Sequence, residues 1–148
     1  MQQQLIRHGQ GSRTWAIVLD SSEEVSACLQ EFARRELLGT TNFTASGSLQ
    51  DAVLGYVEND GHAYRRHTLD HPAQVVSLVG DIVLRDGAPQ IHMRAVLDAQ
   101  DGSILDGHLL EGHVGDDLEV IMTEAPVQLH KAYDADAGLA LFKSGEAR

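Results

Sequence analysis

The chain has 148 residues, the size of one domain, and its 43% hydrophobic and 22% charged residues are ordinary for a globular protein with one core. It has no apolar run long enough to span a membrane, no signal-like N-terminus and a single cysteine, so we expect a cytoplasmic protein without an internal disulfide framework. Its formal net charge of −11 argues against a surface built to contact nucleic-acid phosphates.

The first part of the chain predicts an arm, a strand and a helix. Residues 1–12 are polar and contain glycine, so we expect a loose or edge-pairing N-terminal arm. Residues 14–19 are rich in β-forming side chains and predict a strand. Ser21 and Glu24 then fit a capping box at the start of an amphipathic helix. The apolar stripe of this helix is formed by Val25, Cys28, Leu29, Phe32 and Ala33.

After the helix, the sequence predicts a run of antiparallel strands. These segments lie within residues 41–48, 50–58, 62–69, 74–84, 91–97, 104–113 and 117–125. We expect turns at residues 48–51 and at Gly115 and Asp116, a bulge at Gly47, and a kink or close approach at Gly80. The predicted class is α+β: a curved, mostly antiparallel sheet with one main helix packed on it.

No linker, repeat or low-complexity segment divides the chain. We therefore expect residues 13–126 to form a single domain that follows the arm of residues 1–12. Regularity fades in residues 127–148, which we expect to form a C-terminal tail that packs on the domain or on a neighbouring subunit, with a disordered end.

Four segments occur in an order that is typical of one family. They are G-S-L at residues 47–49, S-L-V-G at residues 77–80, a strand histidine at His92, and G-H-L-L-E-G with a following L-E-V within residues 107–120. This ordered set, spread over residues 11–126, resembles the PPC domain, the plants and prokaryotes conserved domain. The resemblance implies a curved antiparallel sheet with one helix, assembled as a homotrimer.

The resemblance also implies a DNA-binding or regulatory role, because plant members place AT-hook motifs ahead of this domain. The chain contains no R-G-R-P hook, the element that inserts cationic side chains into the minor groove. Its adjacent arginines, Arg34-Arg35 and Arg65-Arg66, are expected to be solvated surface. We therefore expect the protein to reach DNA through DNA-associated partner proteins. A further alternative is that the trimer serves only as a scaffold for other proteins.

Strand alternation groups two histidines and two carboxylates on one predicted face. A two-residue turn at residues 101–102 would set His92 opposite Glu111, and the following turn would set His113 opposite Glu119. Glu111 and His113 share a face because residues two apart on a strand point the same way. Such a group suits a divalent transition metal such as zinc, or acid–base chemistry.

His108 has the opposite parity and would join this group only through a bulge near Gly107 or Gly112. The family pattern favours a site shared by His92 and His108, whereas plain alternation pairs His92 with His113. The alternative function is thus a metal- or small-ligand-binding protein, and the sequence leaves open whether it is an enzyme. It also leaves open that these histidines form no site and only hydrogen-bond to acidic side chains. The candidate ligands and neighbouring carboxylates are His92, His108, His113, Glu111 and Glu119.

Two positions depart from the pattern of the family that the chain resembles. Asp106 precedes Gly107 and His108 where the family usually has Gly-Gly-His. Arg94 stands where many bacterial members have a second histidine. Both departures put a direct transfer of the family's site chemistry in doubt.

Overall fold

The structure is a computed structural model that describes residues 1–9, 11–57 and 64–125 in full and the backbone of residues 129–134 and 139–144. Within these ranges the chain forms one α-helix and nine β-strands. The helical structure of this part of the chain includes no segment that could cross a membrane.

The strands form one large antiparallel sheet and one small hairpin. The elements are β1 (Gln2–Gly9), β2 (Ser12–Asp20), α1 (Val25–Arg35), β3 (Thr41–Val57), β4 (Tyr64–Leu69), β5 (Ala73–Arg85), β6 (Ala88–Asp98), β7 (Ile104–Glu124), β8 (Leu129–Asp134) and β9 (Leu139–Ser144). The large sheet has the strand order β1-β2-β7-β6-β5-β3-β4, and a further pairing of β3 with β7 bends it back on itself. This confirms an antiparallel α+β fold with one helix. The hairpin pairs β8 with β9.

The pairing between the two longest strands organises the large sheet. It runs from Thr41 opposite Glu124 to Gly55 opposite His108, and its register shifts at three places. Such shifts add residues to one strand and bend it. Because β3 and β7 bend together, one end of β7 pairs with β2 and its other end pairs with β6.

The turns predicted at residues 48–51 and at Gly115 and Asp116 are wrong, because β3 and β7 continue through them as strands. The two segments lie against each other in the ladder. The Asp116 backbone N–H donates to the Ser48 hydroxyl at 3.0 Å, and Gly47 lies against the backbone carbonyl of Asp117. The three strands predicted after residue 91 are therefore two. The predicted bulge at Gly47 is confirmed by the register shifts on either side of it.

The hydrophobic core lies between α1 and one face of the large sheet. The predicted helix stripe is confirmed, since Val25, Leu29, Phe32 and Ala33 are buried and Cys28 is half-buried. Burial of a side chain of this size stabilises the fold by about 1.5–3 kcal/mol. The largest fully buried side chains are Phe32, Ile17, Leu19, Leu29, Leu38, Leu49, Leu54, Leu78, Ile82, Leu97, Leu118 and Met122.

The helix begins later than the capping-box pattern predicted. Its N-cap is Glu24, whose carboxylate accepts a hydrogen bond from the Ala27 backbone N–H at 2.6 Å. Ser21 lies further upstream, in the connection from β2. This connection is held to β7, since the Val114 backbone N–H donates to the Glu23 carbonyl at 2.9 Å. The start of α1 is therefore placed by β7 as well as by its own cap.

Gly80 marks a close approach between β5 and its neighbours. A Cβ atom at this position would overlap the ring of Phe43 and would lie 2.7 Å from the backbone carbonyl oxygen of His92. The absence of a side chain therefore lets β5 lie against both β3 and β6.

We expect the Gly80→Ala substitution to lower the free energy of unfolding by about 1–3 kcal/mol, because the added methyl group overpacks the buried Phe43 ring. The matched control is Gly39→Ala, where an added Cβ atom would meet no atom within 4 Å. Urea denaturation of both variants at the same protein concentration measures the difference. Equal stability of the two variants would contradict the close approach.

Candidate functional site

The register between β6 and β7 places His108 directly opposite Arg94. The predicted pairing of His92 with Glu111 is therefore wrong by one residue. The cause is the connection between the strands, where the Ala99 backbone N–H donates to the Ser103 carbonyl, closing a longer loop than the predicted two-residue turn. A slip of one residue moves every side chain of a strand to the opposite face.

A bulge in β7 corrects the parity of His108. The ladder to β3 shifts between Val53 and Leu54, and Leu110 is the extra residue of β7 at this point. Because of this extra residue, His108 and His113 both lie on the side of β7 that faces away from the core. The bulge that His108 requires is thus present, but at Leu110 and not at a glycine.

His92 and His108 line one open pocket of about 270 Å³ on the outer face of the sheet. Arg94, two residues from His92 on β6, lines the same pocket. Asp81 and Val79 contribute from β5, where they pair with His92 and Arg94 respectively. The pocket thus joins side chains from three strands.

The charged groups of the pocket are loosely paired. His92 Nδ1 lies 3.7 Å from Asp81 Oδ1, and the Arg94 guanidinium lies 3.5 Å from Asp106 Oδ2. Arg94 and Asp106 are each more than half exposed. The pair of Arg94 and Asp106, this long and this exposed to water, contributes little stability, so the guanidinium of Arg94 is available to a ligand.

His113 lies elsewhere, next to Asp51 on β3. Its Nδ1 atom is 2.8 Å from Asp51 Oδ1 and 3.1 Å from Oδ2, and its backbone N–H donates to the same carboxylate at 3.1 Å. The Gly112 backbone N–H donates to Glu24, the helix N-cap, at 3.3 Å. This group ties β7 to β3 and to the start of α1.

The carboxylate of Asp51 raises the pKa of His113 above its ordinary value, chiefly by hydrogen bonding and then by its charge. Desolvation opposes this effect, and the charges of Glu24 and Glu111 add to it. The protonated imidazole is therefore the form that this cluster favours.

The predicted cross-strand pairs of His92 with Glu111 and of His113 with Glu119 do not form. Glu111 is exposed and pairs with Val53 on β3. Glu119 is exposed and pairs with Ser46 on β3 and Val18 on β2, because β7 does not turn back on itself. The single predicted cluster is therefore two separate sites.

Asp51 and Asp81 are not among the candidate residues that the sequence predicts. Both are partners of candidate histidines, Asp51 of His113 and Asp81 of His92. The signal that identifies them is the register of β3 with β7 and of β5 with β6. For Asp51 the register depends on bulges, which strand alternation does not reveal, whereas for Asp81 the ladder is regular from the turn at Asp86 and Gly87.

The described residues of a single chain do not fit a tight zinc site. Such a site takes three or four imidazole, thiolate or carboxylate ligands, and the described residues contain no group of three that could hold a metal ion. In the pocket of His92 and His108, the neighbouring side chain is Arg94, whose positive charge repels a cation.

We expect Asp51→Asn to lower the pKa of His113 toward its ordinary value, because an amide does not stabilise the imidazolium as a carboxylate does. In the wild-type protein the folded-state pKa is raised, so protonated His113 stabilises the fold. This contribution is fully present below the unfolded-state value of about 6.5 and is lost as the pH rises through the folded-state pKa. NMR titration of the His113 ring measures the shift.

Asp81→Asn is the control for this titration, since Asp81 lies beside His92. It should leave the His113 titration unchanged. An identical His113 pKa in wild type and in Asp51→Asn would show that the carboxylate does not govern this imidazole.

The fold is shared with several solved structures. A metal-containing protein from Archaeoglobus fulgidus has a TM-score of 0.75 and 25% identity, over 88% of this chain and 93% of that protein. A plant- and prokaryote-conserved (PPC) protein from Pyrococcus horikoshii has a TM-score of 0.76 and 25% identity, over 98% and 96% of the two chains. A protein from Bacteroides thetaiotaomicron, provisionally described as DNA-binding, has a TM-score of 0.78 and 18% identity, over 96% and 97%; at this identity the likeness shows the fold alone.

A sequence search finds no match among curated proteins. The family model of the Plants and Prokaryotes Conserved domain, abbreviated PCC or PPC, matches residues 6–126. This range contains the helix and nearly all of the large sheet, including the pocket and the cluster around His113. The chain is a member of the PCC domain family.

Proposed function

We propose that this protein has a regulatory role in a DNA-associated process, as a homotrimer that acts through partner proteins. The DNA-associated part is supported by membership of the PCC domain family, since plant members place AT-hook motifs ahead of this domain. The indirect mode of action is supported by the net charge of −11 and, above all, by the way in which carboxylates accompany the arginines.

The adjacent arginines at the end of α1 each lie beside a carboxylate, which lowers the positive potential that a DNA phosphate would meet there. Arg34 lies 3.3 Å from Glu31, and Arg35 lies 3.8 Å from Glu36. The second adjacent pair, Arg65-Arg66, is exposed on the edge strand β4. Affinity for duplex DNA grows with the number of phosphates that a protein neutralises. One exposed pair on an acidic protein offers little of that affinity, so a partner is needed to hold DNA.

We expect the purified protein to show no saturable binding to a labelled duplex at low salt, even at micromolar concentration, in fluorescence anisotropy. Formaldehyde crosslinking in the native host, followed by immunoprecipitation, should nevertheless recover DNA, because the partner supplies the phosphate contacts.

Two outcomes would change this proposal. Direct binding that weakens with salt and disappears in the Arg65→Ala/Arg66→Ala double variant would replace the partner by a direct contact from β4. Crosslinked samples that contain no more DNA than an untagged control strain would exclude the DNA-associated role.

The homotrimer is supported by the family resemblance and by apolar side chains on the outer face of the sheet. Ile121 and Val79 both pair with Thr44 on β3, so the three residues form one row across the sheet. Ile121 is 46% exposed and Val79 is 47% exposed. Exposed apolar side chains on one sheet face are often covered by another subunit. Val79 also lines the pocket, so the proposed interface would reach the pocket rim.

We expect light scattering coupled to size exclusion to give three times the 16.1 kDa mass of the chain. Ile121→Glu should dissociate the assembly, because a carboxylate buried in an apolar interface without a partner is unfavourable. Ile104→Glu is the control, since Ile104 is 60% exposed and lies outside the row. A monomeric wild-type protein would refute the trimer, and dissociation of both variants would place the interface elsewhere.

A second candidate function is the binding of a small ligand or metal ion, favoured by the meeting of His92 and His108 in one pocket. The Archaeoglobus protein of this fold is described as metal-containing. For a metal such as zinc, His92 and His108 are the two imidazoles at hand, and His113 does not line the pocket. The guanidinium of Arg94 in the same pocket favours a small ligand over a cation.

A further inference from the structure

Arg94 is the central charged residue of the pocket. Its neighbour across the ladder to β7 is His108, and its neighbour across the ladder to β5 is Val79. His92, two residues away on β6, points to the same face. The ladder between β6 and β7 ends at the pair of Arg94 and His108, so the guanidinium and both imidazoles lie together at that end.

The guanidinium can exchange its present partner for a ligand. Its only described ion-pair contact is with Asp106 at 3.5 Å, and the two side chains are 57% and 58% exposed. A planar guanidinium offers parallel N–H donors that match the two oxygens of a carboxylate. A ligand carboxylate in this position would form shorter hydrogen bonds than the one that it displaces.

The two imidazoles add further donors to the same space. Asp81 Oδ1 lies 3.7 Å from His92 Nδ1. His108 lies exposed at the pocket rim. Donors that converge in this way favour an anion, and the guanidinium among them disfavours a cation.

The remaining walls indicate which kind of anion fits. The exposed side chain of Val79 gives the pocket an apolar side, which an inorganic anion would leave uncovered but a hydrocarbon chain would cover. The carboxylate of Asp81 on the rim opposes a polyanion. The volume of about 270 Å³ is smaller than that of most ligand sites. A short organic acid with one carboxylate meets all three conditions.

We propose that the pocket binds a small organic monocarboxylate, with the guanidinium of Arg94 holding the carboxylate and the side chain of Val79 covering its hydrocarbon part. This proposal rests on the ligand-binding role given above as the second candidate function. It also accounts for the poor fit to zinc, because the side chain next to the two imidazoles is the positively charged Arg94 and not a third metal ligand.

The test is an NMR titration of the protein in its native oligomeric state with butyrate as the probe, at constant ionic strength. The ring signals of His92 and His108 and the Nε–H signal of Arg94 should shift saturably, while the His113 ring serves as an internal reference. Acetate should bind more weakly than butyrate because it leaves the apolar wall uncovered, and 1-butanol should not bind because it carries no charge. Zinc ions alone should produce no saturable shift at stoichiometric concentration.

Two variants separate a specific site from a general ionic effect. Arg94→Gln should weaken butyrate binding by at least about tenfold, because a charge-assisted hydrogen bond is lost. Arg66→Gln removes an equal charge from exposed strand β4 and should leave binding unchanged. Equal shifts in wild type and Arg94→Gln would overturn the assignment of Arg94.

The remaining outcomes distinguish this proposal from the ligand-binding role on which it rests. Saturable zinc binding without a response to butyrate or acetate would overturn the carboxylate and keep the ligand-binding role. No response of His92 and His108 to any of these probes would overturn both.

Discussion

The pairing of β3 with β7 is the constraint on which the rest of the structure depends. These strands of 17 and 21 residues satisfy each other's backbone groups over nearly their whole length, and both must bend to take part in two regions of one sheet. Gly47 permits one of these bends, with a φ of 142° and a close approach to the Asp117 carbonyl that a side chain would prevent. The bent pair then positions α1, whose N-terminal connection is bonded to β7.

The same irregularities decide where polar side chains meet. The extra residue at Leu110 puts His108 on the same outer face as His113, and the ladder of β6 with β7 sets His108 opposite Arg94 in the pocket. The shift between Leu49 and Asp51 precedes the contact of Asp51 with His113. A regular ladder would repeat with a period of two and would turn His108 to the core side. The position of His113 relative to the outer pocket thus depends on interruptions of the ladder between β3 and β7, and bulges are common near functional positions.

These interruptions also explain how far the sequence could predict the structure. The helix stripe from Val25 to Ala33 was predictable because its pattern is local and its burial follows from periodicity. The segment around Gly115 and Asp116 has the composition of a turn. It is nevertheless a strand, because it contacts Ser48 and Gly47 on the neighbouring strand β3. The register predicted for His92 was wrong by one residue, because the loop after Ala99 is longer than its composition indicates. Local signals do not contain these long-range pairings.

The chemistry of the outer pocket depends on a single side chain more than on its histidines. Two imidazoles at the end of a ladder can serve a cation as neutral ligands or an anion as donors, so His92 and His108 do not decide between the two. Arg94 decides whether the pocket suits a cation or an anion. Its permanent positive charge lies on the same face of the sheet as both imidazoles, in a residue that pairs with β5 on one side and with His108 on the other. In a protein of net charge −11, long-range attraction does not favour anions. Selectivity for a carboxylate must therefore come from short-range contacts, and the guanidinium beside an apolar wall supplies them.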